Sequence, residues 1–186
     1  MKKLFKTIIK LLILALVVLM LKAGFDTAFE VVYPLRHDDV ITQYSDEYNL
    51  DRYLVMGVIK AESNYIHDAH SGIARGLMQI TDDTAKWIAK KIGIEFSSDD
   101  IENPEINIRM GCYYLSYLIN RYNDIDVALA AYNGGMGNVD KWLANPEYSS
   151  DGKTLSSIPF PETEKYVERV NKYEKIYKWW YSKKGN

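Results

Sequence analysis

The first 25 residues and the remainder of the chain follow different hydropathy patterns. Lys2, Lys3, Lys6 and Lys10 lead into Leu11–Leu21, eleven apolar residues without interruption, and Lys22, Asp26 and Glu30 follow. A basic lead before an apolar run marks an export signal whose lysines stay on the cytoplasmic side. An apolar surface on every side of a helix leaves no polar face for water, unlike the stripe expected of a helix in a globular core. Leu4–Phe25 is long enough to span a bilayer if Lys6, Lys10 and Lys22 snorkel. The triplets Leu21-Lys22-Ala23 and Asp26-Thr27-Ala28 fit a signal-peptidase site poorly. The segment 1–25 therefore reads as an uncleaved anchor, with cleavage and secretion the alternative, and residues 26–38 read as a polar stalk containing Pro34.

From residue 39 the apolar positions recur at intervals of three and four, the period of helices with one buried stripe. Val40–Tyr48 and Arg52–Ser63 form the first pair, with cap-type residues at Asn49-Leu50-Asp51 between them. Thr81-Asp82-Asp83 opens a helix that Gly93 stops, its acids sitting on the positive end of the dipole. Asn103-Pro104-Glu105 has the cap and the first-turn proline of another start, and Glu105–Tyr122 is the longest internal helix. Asp126–Tyr132, Met136–Ala144 and Glu162–Tyr181 complete the set, with an irregular segment at 145–160. Neither strand alternation nor a repeat is evident. The expectation is an all-α, or nearly all-α, domain over 39–181, preceded by a membrane anchor.

Composition narrows the function classes. The chain of 186 residues holds 15 Tyr and 4 Trp, amphipathic rings that suit sugar grooves as well as ordinary cores. The net charge of −2, with acids and bases interspersed, provides no basic stripe for nucleic acid. A lone cysteine, Cys112, precludes an internal disulfide and a cysteine-rich zinc site, and within its helix it reads as a small buried residue. His67 and His70, three apart with no third ligand in view, read as solvated polar residues rather than a metal pair. No metal and no cofactor is expected.

One carboxylate stands out. Positions three, four and seven before Glu62 are Ile59, Val58 and Val55, so Glu62 continues an apolar stripe. Burial penalises the charged form of a carboxyl and turns it into a proton donor near neutral pH. A helix-terminal glutamate that bends to solvent, or pairs with a base such as Arg75, satisfies the same pattern. Asp82 and Asp83, the nearest further carboxylates, read as helix-start acids on a solvated face.

Three more stretches follow: Gly76-Leu77-Met78-Gln79, Ala131-Tyr132-Asn133-Gly134-Gly135 and Glu162-Thr163-Glu164-Lys165-Tyr166. With Glu62-Ser63, and in this order, they resemble the soluble lytic transglycosylase (SLT) domain of the lysozyme-like superfamily over about residues 40–180. The residues before the Gly76 turn, Gly72-Ile73-Ala74-Arg75, depart from the Gly-Ala usual there. The resemblance implies a lysozyme-like α fold and an enzyme that cuts peptidoglycan between N-acetylmuramic acid and N-acetylglucosamine without water, leaving 1,6-anhydromuramyl ends. It implies Glu62 as sole catalytic acid and then base, and Ser71 as the residue that orients the muramyl N-acetyl group. Met78 and Gln79 would line the cleft, and Tyr132 and Asn133 would hold the sugar and the carboxylate. Tyr166 would hydrogen-bond near that carboxylate, with Glu162 and Thr163 on the far wall. The expected partners are peptidoglycan glycan strands and, through the anchor, the extracytoplasmic face of the bacterial membrane, with cell-wall or secretion machinery as possible company. A hydrolytic muramidase of the goose-type lysozyme kind and an inactive glycan-binding scaffold are the rival readings.

Overall fold

The structure is a computed structural model that describes residues 2–183. It divides into two compact units, Met1–Arg36 and His37–Asn186.

The first unit is a single helix, α1 (Lys2–Val32), with none of its residues buried. Its most apolar stretch has a mean hydropathy of 2.6, and it is long and apolar enough to cross a membrane. Some of its polar groups are satisfied within the helix. Thr7 and Thr27 donate to the carbonyls of Lys3 (3.1 Å) and Ala23 (2.9 Å), and Lys22 Nζ lies 2.8 Å from Asp26 Oδ2. The helix runs seven residues past the boundary expected at residue 25, so the polar stalk is confined to 33–37. The acids at 26 and 30 had suggested a stalk, but nothing between Asp26 and Val32 breaks a helix. Pro34 is the first residue that does, by barring helical geometry at Tyr33.

The second unit is helical apart from one small sheet. In chain order it contains α2 (Asp38–Glu47), α3 (Arg52–Glu62), β1 (His70–Ser71), β2 (Ala74–Arg75), β3 (Ile80–Thr81), α4 (Asp82–Ile92), a 3₁₀ turn (Ser98–Glu102), α5 (Pro104–Tyr122), α6 (Ile125–Gly134), α7 (Met136–Leu143) and α8 (Pro161–Tyr181). Caps set most of these boundaries. Asp51 accepts from the Tyr53 N–H at 2.8 Å to start α3, and Thr81 accepts from Thr84 N to start α4. Asn103 accepts from Glu105 and Ile106 N–H to start α5, with Pro104 at its first position, where the missing N–H costs nothing. Gly93 ends α4 at φ 70°, the left-handed geometry that glycine adopts without strain.

The three two-residue strands form an antiparallel sheet in the order β1-β2-β3, pairing His70 with Arg75 and Arg75 with Ile80. Strands of two residues are too short to show alternation, which is why the sequence reads as wholly helical there.

The core is built on two helix pairings. α3 buries Leu54 to Ile59 without a break and packs along α8, which buries Tyr166, Val167, Val170 and Tyr177. They approach most closely at Gly57, where a Cβ would stand 3.0 Å from the Val170 carbonyl oxygen and 3.1 Å from the Glu174 nitrogen. α5 runs through the centre against α2, α4 and α6, burying Asn107, Ile108, Met110, Gly111, Cys112, Leu115 and Leu118.

Candidate active site

Glu62 is the last residue of α3. Because the helix is apolar up to Ile59 and locked onto α8, the carboxyl group is carried to the edge of the core. It keeps some access to solvent, yet burial dominates its environment and raises its pKa to about 7. The neighbouring Tyr166 hydroxyl and the charge of Arg169 pull the other way without restoring the usual carboxylate range. Tyr166 Oη is buried and has no partner of good hydrogen-bond geometry in this conformation. Burial and the nearby Glu62 charge hold Tyr166 well above an ordinary phenol, and the same two causes act on Tyr132. Both phenols are therefore protonated donors throughout the neutral range.

After α3 the chain reverses through Asn64 and Tyr65, both left-handed at φ 52° and 64°, and enters the sheet. The turn at 76–79 that follows is held from below by Asn107 of α5. The Asn107 Oδ1 accepts from Met78 N–H at 2.7 Å, and its Nδ2 donates to the carbonyls of Arg75 (3.1 Å) and Ile101 (2.8 Å). Gly76 is required here twice over. Its φ is 82°, and a Cβ would stand 2.3 Å from Asn107 Nδ2. Gln79, itself left-handed at φ 47°, donates from Nε2 to the carbonyls of Ala69 (2.9 Å) and Gly76 (2.8 Å), which fixes its amide plane.

Glu62, Ser71, Ala74, Gln79, Thr81, Tyr132 and Asn133 line a cavity of about 180 Å³. Glu62 is the only carboxylate among them. Through Gln79, Thr81, Tyr132 and Asn133 this cavity adjoins a second of about 270 Å³ that adds Thr84, Tyr114, Gly134 and Gly135. Asn133 and Gly134 also edge a third, of about 390 Å³, closed by Phe160, Pro161, Glu162 and Thr163. Sharing these residues, the three make up a groove, with Glu62 lining the smallest of them; Thr81 also borders a cavity of about 330 Å³ that carries Asp82 and Asp83. Two hydrogen bonds tie its walls together. Tyr132 Oη donates to the Met78 carbonyl at 2.8 Å, and Thr163 Oγ1 donates to Asn133 Oδ1 at 2.8 Å.

Of the residues singled out from sequence, Glu62, Ser71, Gln79, Tyr132 and Asn133 share one cavity, and Glu162 and Thr163 edge the same groove further along. Tyr166 lies beneath Glu62, fully buried. Met78 differs from the expectation. Its side chain is fully buried and does not line the groove, because Gly111 of α5 leaves a slot that the thioether fills; a Cβ on Gly111 would meet Met78 Sδ at 2.2 Å. Met78 serves the groove through its backbone carbonyl alone. Arg75 pairs with Asp82 and, at 3.6 Å, with Glu102, so it is engaged away from Glu62. Asp82 and Asp83 occupy the first turn of α4 as expected. His70 Nε2 lies 3.1 Å from Glu102 Oε1.

Sequence reading missed Thr81, Tyr114 and Asn107. Asn107 carried a usable signal, a polar residue on the apolar stripe of a long helix. Tyr114 carried none that separates it from Tyr113 beside it.

A helical domain that ends a buried helix on one glutamate, beneath a groove of tyrosine and amide side chains, has the architecture of lysozyme-like domains. Comparison with known proteins agrees. The profile of the Transglycosylase SLT domain matches residues 39–154, and the chain belongs to that family. Over 151 residues the chain is 34% identical to the soluble lytic murein transglycosylase of Salmonella typhimurium, covering 78% of this chain and 23% of that protein. It is 29% identical over 175 residues to membrane-bound lytic murein transglycosylase F of Desulfosudis oleivorans, covering 77% of this chain and 36% of that one. The crystal structure of an inactive Glu-to-Gln mutant of the lytic transglycosylase Slt from Pseudomonas aeruginosa superposes with a TM-score of 0.71 at 32% identity, covering 81% of this chain and 25% of that one. The chain thus spans about a quarter of the length of the soluble relatives it matches.

Proposed function

We propose that this protein is a peptidoglycan lytic transglycosylase, which cleaves the β-1,4 bond between N-acetylmuramic acid and N-acetylglucosamine and leaves a 1,6-anhydromuramyl end. The observation that carries this reading is a single carboxylate, its pKa raised to about 7, in a cavity lined by the amides of Gln79 and Asn133 and the phenol of Tyr132. Ordinary glycosidases need a second carboxylate as nucleophile or base. Where one is available, the substrate can supply the nucleophile itself, and the muramyl N-acetyl oxygen has the chemistry to do so.

In this mechanism the protonated Glu62 gives its proton to the glycosidic oxygen as the bond to C1 breaks, while the N-acetyl oxygen closes onto C1. The Glu62 carboxylate then takes the proton of the C6 hydroxyl. That oxygen bonds to C1 and displaces the N-acetyl oxygen, so no water is consumed. Ser71 orients the N-acetyl group, Gln79 and Asn133 fix the sugar, and Glu162 bounds the far wall. Tyr132 holds the Met78 turn against the groove, and Tyr166 supports Glu62 from beneath. The names of the relatives, and the inactivity of the Pseudomonas glutamate mutant, support the assignment.

The apolar, unburied α1 with lysines at its start supports an anchor in the bacterial cell membrane with the domain on the extracytoplasmic side. The test of the activity is mass spectrometry of murein digested with the full chain. Anhydromuramyl ends are expected, and Glu62→Gln should abolish them while glycan binding persists. Reducing ends alone would mean a hydrolase, and unchanged lysis by the variant would remove Glu62 from the chemistry.

A further inference from the structure

The last turns of α8 bring aromatic rings and lysines together away from the groove. Trp179 is 53% exposed, its ring 5.6 Å from Trp180 and 5.4 Å from Lys183 Nζ. Two residues to either side of it along the helix, Tyr177 and Tyr181 are buried and stacked on each other at 6.0 Å. Residues 175–184 contain Lys175, Lys178, Lys183 and Lys184 and no acid. The proposed murein groove uses none of these residues.

The helix end lies beside the point where the chain enters the domain. Lys178 Nζ is 2.7 Å from Asp51 Oδ2, the cap of α3. The next residue, Arg52, pairs with Asp38, the first residue of α2. Tyr65 sits 6.3 Å from the Tyr177 ring and feels the charge of Asp38 as well. Five residues separate Asp38 from the end of α1 at Val32, and five residues reach at most about 18 Å.

We propose that the C-terminal end of α8 is a second, interfacial membrane contact, with Trp179 entering the headgroup layer of an anionic lipid surface. Indole rings partition to the water–hydrocarbon boundary, where an apolar face and a polar N–H are both accommodated. Lysines flanking such a ring add attraction to anionic headgroups. Lys175 and Lys183 supply that charge, while Lys178 is engaged by Asp51. The inference rests on the reading of α1 as a membrane anchor, from which five residues lead into α2. Its consequence is an oriented domain: a protein held by α1 alone would tumble at the end of its tether, whereas two contacts fix which way the groove faces.

The test uses the full chain reconstituted in vesicles of phosphatidylcholine, with and without phosphatidylglycerol, whose acyl chains are brominated close to the headgroup. All four tryptophans lie in the second unit, so tryptophan quenching reports that unit alone. Quenching is expected, stronger with phosphatidylglycerol. Trp179→Ala should remove more than half of it, and Lys183→Glu should remove the dependence on anionic lipid. Both variants should still float with the vesicles and retain wild-type cleavage of soluble glycan. A wild-type chain that floats but is not quenched overturns the contact and leaves the anchor standing. Quenching that is unchanged in Trp179→Ala overturns it as well. So does a Trp179→Ala phenotype that proves to be loss of self-association. A chain that fails to float overturns the anchor, and this inference with it.

Discussion

At the scale of single residues, Glu62 is governed by what precedes it on its helix. Six buried positions in succession leave the carboxyl no fully hydrated place at the end of α3, and burial raises its pKa to about 7. In the proposed mechanism the acid form starts the reaction, so activity should fall as pH rises through about 7. The Tyr166 hydroxyl favours the charged form of Glu62. Tyr166→Phe should therefore move the alkaline limb of the kcat profile to higher pH while lowering kcat by roughly ten-fold, the value of one lost hydrogen-bonding group. A rate loss with no displacement of the limb would mean that Tyr166 acts only through packing.

The same shift has a cost in stability. A carboxyl with a raised folded-state pKa binds its proton more tightly in the native than in the unfolded chain, so its contribution is neutral below the unfolded value of 4.5 and unfavourable above about 7. Glu62→Gln should stabilise the protein at pH 8 by on the order of 2–3 kcal/mol and give no gain at pH 4, measured by thermal unfolding at the two pH values. The stripe alone left Glu62 between the core and solvent, and the ordered motifs around it gave it a role; its burial at the end of α3 is what the structure adds. The placing of Met78 was not legible in the sequence. Whether it faces the groove or the core depends on Gly111, more than thirty residues away, and local spacing carries no such information.

At the scale of elements, the helices were legible because their ends are written in short polar signals. Thr81, Asn103 and Asp51 all cap as their types demand. The Ser97–Asp100 capping box of the 3₁₀ turn followed the same rule and went unread, because it opens no apolar run. The sheet was invisible for want of length, although it carries Ser71 and Thr81 into the groove. What holds this region is one side chain of α5. Asn107→Leu would leave the Met78 N–H and the Arg75 and Ile101 carbonyls without that partner, at a cost of about 3–4 kcal/mol. Denaturant unfolding measures it; a cost below about 1 kcal/mol would mean that the turn is held by other means.

At the scale of the whole molecule, α1 is long and apolar enough to cross a membrane. Thirty-one helical residues extend about 46 Å, against a hydrocarbon layer of about 30 Å, so roughly ten residues remain outside it. The length accommodates a helix that outruns its apolar run: the apolar composition ends near residue 25, while the hydrogen-bonded helix continues to Val32. The full chain should stay with membranes through alkaline carbonate extraction, and removal of residues 2–32 should release it to the soluble fraction. Release of the intact chain by carbonate would refute a spanning anchor.

The single carboxylate of the cavity that Glu62 lines also decides how the protein can be measured. Paired catalytic acids share their protons, and the constants read from their titrations belong to the pair rather than to either member. Tyr132 and Tyr166 keep their protons far above neutrality and Glu62 has no ionising neighbour in the cavity wall, so one proton and one microscopic constant describe the site. The carbon chemical shift of the Glu62 carboxyl, followed against pH in the free protein, should trace a single-step curve. Its midpoint should coincide with the alkaline limb of kcat/KM, giving spectroscopy and kinetics the same number.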